Sequence, residues 1–412
     1  MLTAGTDNGK NAHMKRVLID PRKDADRIAS ESGVFRVGAA ANGRPYRTWD
    51  ETSGYVFQRN EVDQILDAVT PVVDMVRDAV DFLLDGQWGT LGYTRPVFEF
   101  IRESFDDEQI ELYTRYDFAY LGNGSVKLVG INGDSPRGLI EAAQVQRKWL
   151  RDKFGAKVKD ATVTQLNSIP ELSVRALSRL ALTSNAKRLH VTHSNNGEDM
   201  LFASYMKGMT TRSGWRARMM RSGDFGWGTR EQSWLDPDDE RMKVLYKHMP
   251  WDLMMKQSVF RDMMTHGDVI QSLEPAWKMV LNNRAILPAL WHLYPNNPIL
   301  SPASIETRSR SLGEDVVTSS LLPSVCRNEM GSLRGRTFTS WGEQMKDLSD
   351  QRDVAYRSLV VPRRFRDVSG GYRFSYLSLY TVAGNPAAVG MRETRLPLLG
   401  AHTTFKPHLV VL

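Results

Sequence analysis

Residues 110–136 read IELYTRYDFAYLGNGSVKLVGINGDSP. From Ile110 to Tyr120 the even positions are Ile110, Leu112, Thr114, Tyr116, Phe118 and Tyr120, and the odd ones include Glu111, Tyr113, Arg115 and Asp117. Side chains alternate across a strand, so this pattern predicts one apolar and one polar face. Gly122-Asn123-Gly124 supplies the positive φ of a hairpin turn, and Val126 to Asn132 forms the return strand. A register with paired residue numbers summing to about 247 keeps the polar faces together. It sets Asp117 opposite Gly130, Arg115 opposite Asn132 and Tyr113 opposite Asp134. Ser135-Pro136 then offers an N-cap and a first-turn proline for a helix through Glu141, Val145 and Trp149. Asp117 and the Asn132 amide oxygen are hard ligands suited to Mg²⁺. Arg115 can grip a carboxylate or phosphate with two hydrogen bonds. The bland reading of the same spacing is a solvated hairpin face closed by a surface ion pair.

Outward from the hairpin, Ile65, Val69, Val72, Val76, Val80 and Leu83 mark an amphipathic helix, capped by Asn60 and split at Thr70-Pro71. Arg188–Thr192, Arg216–Met219 and Val244–Tyr246 read as strands, and Glu198–Met209 as a helix. Two more helices cover Ala276–Asn282 and Ala285–Leu293. Residues 305–370, rich in Arg and Ser, predict a small loop-rich lobe. Tyr376–Val382 and Ala387–Glu393 are strands joined at Gly384-Asn385.

The chain has 412 residues, 41% hydrophobic content and net charge +6, enough for two to three domain-sized units. No apolar run reaches the roughly 18 residues that span a bilayer, and the N-terminus lacks an apolar signal core. Both predict a cytoplasmic protein with no membrane partner. The lone Cys326 excludes an internal disulfide or a thiolate cage and reads as structural. Charges are interspersed. The Arg-rich stretches 212–221 and 357–373 could contact nucleic acid, but surface loops or a cleft lid explain them as well, and nucleic acid is not an expected partner. His190, His193 and His292 lack metal-ligand spacing and read as structural.

Arg115-Tyr116-Asp117-Phe118 and Lys127 to Pro136, followed by Leu139-Ile140-Glu141-Ala142-Ala143, closely resemble the substrate-and-metal hairpin and helix of the glutathionylspermidine synthase family. Other landmarks follow in family order: Gly43-Arg44-Pro45-Tyr46, Trp49-Asp50-Glu51, Asp224 to Trp227, Tyr246 with Pro250-Trp251-Asp252, Leu273 to Lys278, Arg284 to Trp291, Gly390 to Glu393 and Phe405 to His408. The resemblance runs from about residue 40 to the end. It implies a mixed α/β (α+β) chain with an ATP-grasp fold and a preceding pre-ATP-grasp-like substrate domain. On that basis we divide the chain into an N-terminal arm (1–55), a substrate-binding region with the Arg-x-Asp hairpin (56–300), a variable nucleotide-lid-like lobe (301–375) and C-terminal strands completing the core (376–412).

The resemblance further implies ATP and Mg²⁺ as cofactors and an acyl-phosphate route joining a small peptide or amino-acid carboxylate to an amine. Carried over by position, Arg115 and Arg392 are catalytic, Arg115 and Ser135 bind substrate, Arg284 and Arg392 bind nucleotide, and Asp117 and Asn132 hold metal. An acidic pair near Glu198-Asp199 faces the amine in the family; read locally, these two are first-turn helix acids. There are departures. Gly130 stands where the family has a bridging metal carboxylate, Arg284 and Thr307 where it has nucleotide lysines, with Arg308 or Arg310 nearby, and Arg137 where it often has Ser or Thr. An altered substrate is one consequence. The alternative is a catalytically impaired homologue that acts as a binding or assembly protein.

Overall fold

The computed structural model describes residues 3–4, 14–31, 35–36, 46–195, 197–306, 309–322, 329–332, 337–339, 354–368, 370–400 and 403–412. Gly43 to Pro45, Thr307, Arg308 and Cys326 lie outside them.

An antiparallel sheet forms the centre. Its order is Thr404–Lys406, Asn385–Thr394, Tyr372–Val382, Tyr113–Gly122, Ser125–Asn132, with Arg364–Arg366 pairing Tyr372–Val382 off this path. The hairpin forms with the expected pairs Arg115↔Asn132 and Asp117↔Gly130. Beyond Asp117 the register shifts to Phe118↔Leu128. Val129 is the extra residue of a bulge, and Leu128 N donates to Ile299 O at 2.7 Å.

Three local expectations need correction. First, the hairpin strand begins at Tyr113, because Glu274 Oε2 and Oε1 accept from the Leu112 and Tyr113 N–H groups. Its polar face is not solvated, since the Arg115 and Asp117 side chains keep only 11% and 8% of their surface exposed. Second, Ser135 is no N-cap. It sits at φ +58°, donates to His248 O, and the turn at Gly138 (φ +84°) delays the helix to Leu139. A Cβ on Gly138 would lie 2.1 Å from Phe405 Cζ and 2.5 Å from the Tyr380 hydroxyl, so the close approach requires glycine. Third, the first long helix starts at Arg59, so Asn60 lies inside its first turn. The split at Thr70-Pro71 is as expected.

The parallel sheet runs Arg216–Arg221, Arg188–His193, Val244–Tyr246, Gln271–Leu273. Another sheet joins the two ends of the chain: Ser53–Gln58 pairs parallel with His408–Val411. The 305–370 stretch is not loop-rich where it is described. Asp315–Ser320, Glu329–Ser332, Thr337–Thr339 and Val354–Ser358 form an antiparallel sheet with Ala303–Ser304. Short strands rich in Ser and Thr leave little alternation to read. The largest core cluster packs Pro71–Leu84 and Ile286–Leu293 against the central sheet. Among the described residues no helix is long and apolar enough to cross a membrane.

His408 makes stability depend on pH. It is 2% exposed with no partner for either ring nitrogen among the described residues, and burial drives its imidazole down to about 4. An unfolded imidazole titrates near ~6.5, so between these values the unfolded chain binds the extra proton. The stabilisation is therefore complete above ~6.5 and is lost as pH falls toward 4, by about 3 kcal/mol. Urea melts at pH 7 and 4.5 should show this loss, and His408→Leu should shrink it.

Candidate active site

Strand pairing across the central sheet gathers side chains that are far apart in sequence. Asp117 lies on the first hairpin strand, Ser378 directly across on Tyr372–Val382, and Arg392 on the next strand. Asp117 Oδ2 accepts from Arg115 Nη2 at 2.9 Å, and Oδ1 accepts from Arg392 Nη1 at 3.0 Å and from Ser378 Oγ at 2.6 Å. Burial alone would push the Asp117 carboxyl up, but Arg115 and Arg392, with the Ser378 hydroxyl, hold it below the usual carboxylate range. Arg392 is 8% exposed. Burial lowers its guanidinium despite Asp117, and Arg115 adds to the lowering. Arg115 also suffers burial, but Asp117 and Tyr380 outweigh it and raise its guanidinium. One carboxylate between two guanidinia leaves an excess positive charge, an arrangement that attracts an anion.

The clamp connects to a cavity through Arg137. Arg115 Nη1 donates to Arg137 O at 2.7 Å, as does the Tyr380 hydroxyl at 3.0 Å. Arg137 and Ser135 line a cavity of about 280 Å³ whose other walls include Asp199, Phe202, Ser222 and His248. Ser135 thus reaches the cavity rim, with its hydroxyl committed to His248 O at 2.8 Å. Asp134 does not face Tyr113 as expected. It turns to Lys247 Nζ and to Trp251 N, which donates at 2.5 Å.

Arg284 lies elsewhere, at a second cavity of about 30 Å³ lined by Val129, Leu287, Val317 and Arg357. Val129 adjoins Gly130, so this cavity touches the far side of the hairpin. Burial pushes Arg357 down to about 10, with Arg284 adding repulsion. The space holds about two waters, so a purine enters only if these side chains move.

For magnesium, Asn132 Oδ1 is buried with no hydrogen-bond partner among the described residues, an oxygen suited to a cation. Asp117 already serves two guanidinia. A Cβ on Gly130 would lie 3.9 Å from Asp117 Oδ2, at ordinary contact distance, so the missing carboxylate is a matter of residue type and not of space. Among the described residues no group of three or more His, Cys, Asp or Glu could hold a metal. This donor set fits one Mg²⁺ that keeps most of its other ligands as waters or phosphate oxygens. It does not fit a pair.

Two contributors escaped the sequence reading. Ser378 reaches Asp117 across 261 positions, and only strand pairing could reveal it. His248 sits between the landmarks Tyr246 and Pro250 but has no ligand-like spacing.

Comparison with known proteins agrees with this architecture. A family model described as glutathionylspermidine synthase pre-ATP-grasp matches residues 16–411. A putative acid–amine ligase of Haemophilus influenzae is 30% identical over 258 residues, covering 62% of this chain and 64% of that protein. Trypanothione synthetase of Crithidia fasciculata is 22% identical over 335 residues, covering 74% of this chain and 48% of that protein. The chain therefore spans less than two thirds of the length of these curated relatives. The apo structure of a glutathione synthetase-like effector from Globodera pallida superposes with a TM-score of 0.57 at 11% identity, covering 94% of this chain and 96% of that one. The mixed α/β fold is shared with it.

Proposed function

Because the chain belongs to the glutathionylspermidine synthase family, we propose that it is an ATP-dependent carboxylate–amine ligase that forms an amide through an acyl phosphate. The observation that carries this reading is the Arg115–Asp117–Arg392 clamp, joined to the 280 Å³ cavity through the Arg137 carbonyl. Magnesium-bound ATP supplies the phosphoryl group and neutralises its charge. The chain's own part is positioning and electrostatics. Asp117 fixes both guanidinia. Arg115 and Arg392 stabilise the negative charge that gathers as the acid is activated, and Arg115 also orients the substrate carboxylate. Ser135 shapes the rim that receives the acid, a small peptide or amino acid. Asn132, through its buried oxygen, and Asp117 are the residues that would hold a magnesium ion. Arg284, on its own small cavity, would offer a positive charge to the nucleotide phosphates.

Acyl-phosphate formation is tested by adding hydroxylamine to pools of small peptides and amino acids with ATP and Mg²⁺, and reading the coloured hydroxamate together with ADP. At least one acid should give both. A chain that gives neither, and shows no heat of binding with millimolar MgATP, refutes the ligase reading. The small cavity at Arg284 and the absent carboxylate at Gly130 favour a second reading, a family member kept as a binding or assembly protein. That reading falls if ADP release depends on substrate and disappears in Asp117→Ala.

A further inference from the structure

The 280 Å³ cavity also carries a histidine–carboxylate pair on its wall. His248 Nε2 lies 3.0 Å from Asp199 Oδ1, and Ser194 Oγ donates to the other carboxylate oxygen. Phe202 stacks on the imidazole with ring centroids 4.4 Å apart and planes inclined by 21°, which fixes the ring. With the proton on Nε2 and donated to Asp199, Nδ1 is the basic nitrogen. It is buried and has no hydrogen-bond partner among the described residues. A base held by a carboxylate, with its second nitrogen left for a ligand, is the arrangement proton transfer needs. His248 O accepts from Ser135, so the pair is tied to the end of the hairpin that carries Arg115. Leu201 and Leu253, 38% and 44% exposed, add an apolar rim suited to an aliphatic amine.

We propose that His248, oriented by Asp199, is the general base that takes a proton from the attacking amine. This rests on the ligase reading and names the group that serves its second half. An aliphatic ammonium has no lone pair with which to attack. As it gives one proton to Nδ1, its nitrogen forms a bond to the acyl carbon. The carbon–oxygen bond to phosphate breaks, and the electron pair leaves on the phosphate, which takes the nitrogen's second surplus proton. The imidazolium, paired with Asp199, then returns its proton to solvent. The solvent-exposed edge of the pair, 18% of His248 and 25% of Asp199, does not include Nδ1, so that proton leaves by way of the cavity after the product has gone.

The test compares two nucleophiles on the full chain, with an acid that supports hydroxamate formation. Hydroxylamine is largely unprotonated at pH 7 and needs no base; n-butylamine is almost wholly protonated. His248→Gln should lower amide formation from butylamine by about 100-fold or more while changing hydroxamate formation less than about threefold. Asp199→Asn, which keeps the ring but loosens its orientation, should lower the butylamine reaction by roughly tenfold with the hydroxamate rate again preserved. Equal loss of both reactions in His248→Gln would make the residue structural, and loss of neither would make it idle; each overturns the inference while the ligase reading stands. A wild-type chain that yields no hydroxamate removes both.

Discussion

Arg115→Ala is expected to lower the rate of acid activation by about a thousandfold. The reasoning starts from charge. Arg115 and Arg392 share one carboxylate, so neither cation is fully neutralised and the site is primed for the negative charge of the acyl-phosphate transition state. Removing a single donor of this kind costs ~10²–10³ in rate, and a transition-state arginine in phosphoryl transfer costs ~10³–10⁵. Arg115 also holds the Arg137 carbonyl, so its loss slackens the cavity rim as well. ADP release with saturating acid and amine measures the effect. The loss should fall mainly on kcat, because this interaction strengthens in the transition state. A variant that retains more than a tenth of wild-type turnover would remove Arg115 from the chemistry. Asp117→Asn separates orientation from charge. The amide keeps the size of the carboxylate and can still meet Ser378, but two buried guanidinia then face each other without a counter-charge. It should lose activity and stability together, about 3 kcal/mol of the latter.

How much of this was legible follows from distance along the chain. The hairpin's turn and its pairing at Arg115 and Asp117 were readable, because Gly122-Asn123-Gly124 and the alternation are local signals. The bulge at Val129 was not, since it depends on Ile299 pulling on the Leu128 amide. The site was legible in part. Arg115 and Asp117 lie two residues apart on one strand, so they share a face, and Arg392 was found through family resemblance. That Arg392 and Ser378 converge on the same carboxylate could only emerge from the order of the central sheet. Ser135 reads as a cap because Ser-Pro before an apolar run is a sound helix-start signal; the tight passage of Gly138 beneath Tyr380 and Phe405 overrides it. His248 left no trace because a single histidine beside Tyr-x-x-x-Pro carries no spacing. Its partner Asp199 is 49 positions away.

The second large effect concerns the support beneath the hairpin. Lys278→Met should destabilise the chain by about 3–5 kcal/mol. Lys278 is fully buried. Its ammonium donates to Tyr113 O at 2.7 Å and to Glu274 Oε2 at 2.8 Å, and lies 2.9 Å from Glu111 Oε2. Burial alone would lower it, but Glu111 and Glu274 hold it above the ordinary lysine value. Glu274 is 1% exposed, and burial pushes its carboxyl up even with Lys278 and two backbone N–H groups opposing. Those N–H groups belong to Leu112 and Tyr113, at the point where the strand enters the sheet, two residues before Arg115. Methionine would fill the space of the lysine stem while stranding two carboxylates. Glu274 would then have to take up a proton or turn away, and the strand would lose its anchor. The double variant Lys278→Met/Glu274→Gln removes the stranded charge at the buried end and leaves an amide oxygen for one of the two strand N–H groups. It should recover at least half of the lost stability, because pairs that share one network are strongly non-additive. Urea unfolding of the three proteins measures this. A single variant that costs under about 1 kcal/mol, or a double variant no better than the single, would mean that the triad packs like any other core group and does not fix the start of the catalytic strand.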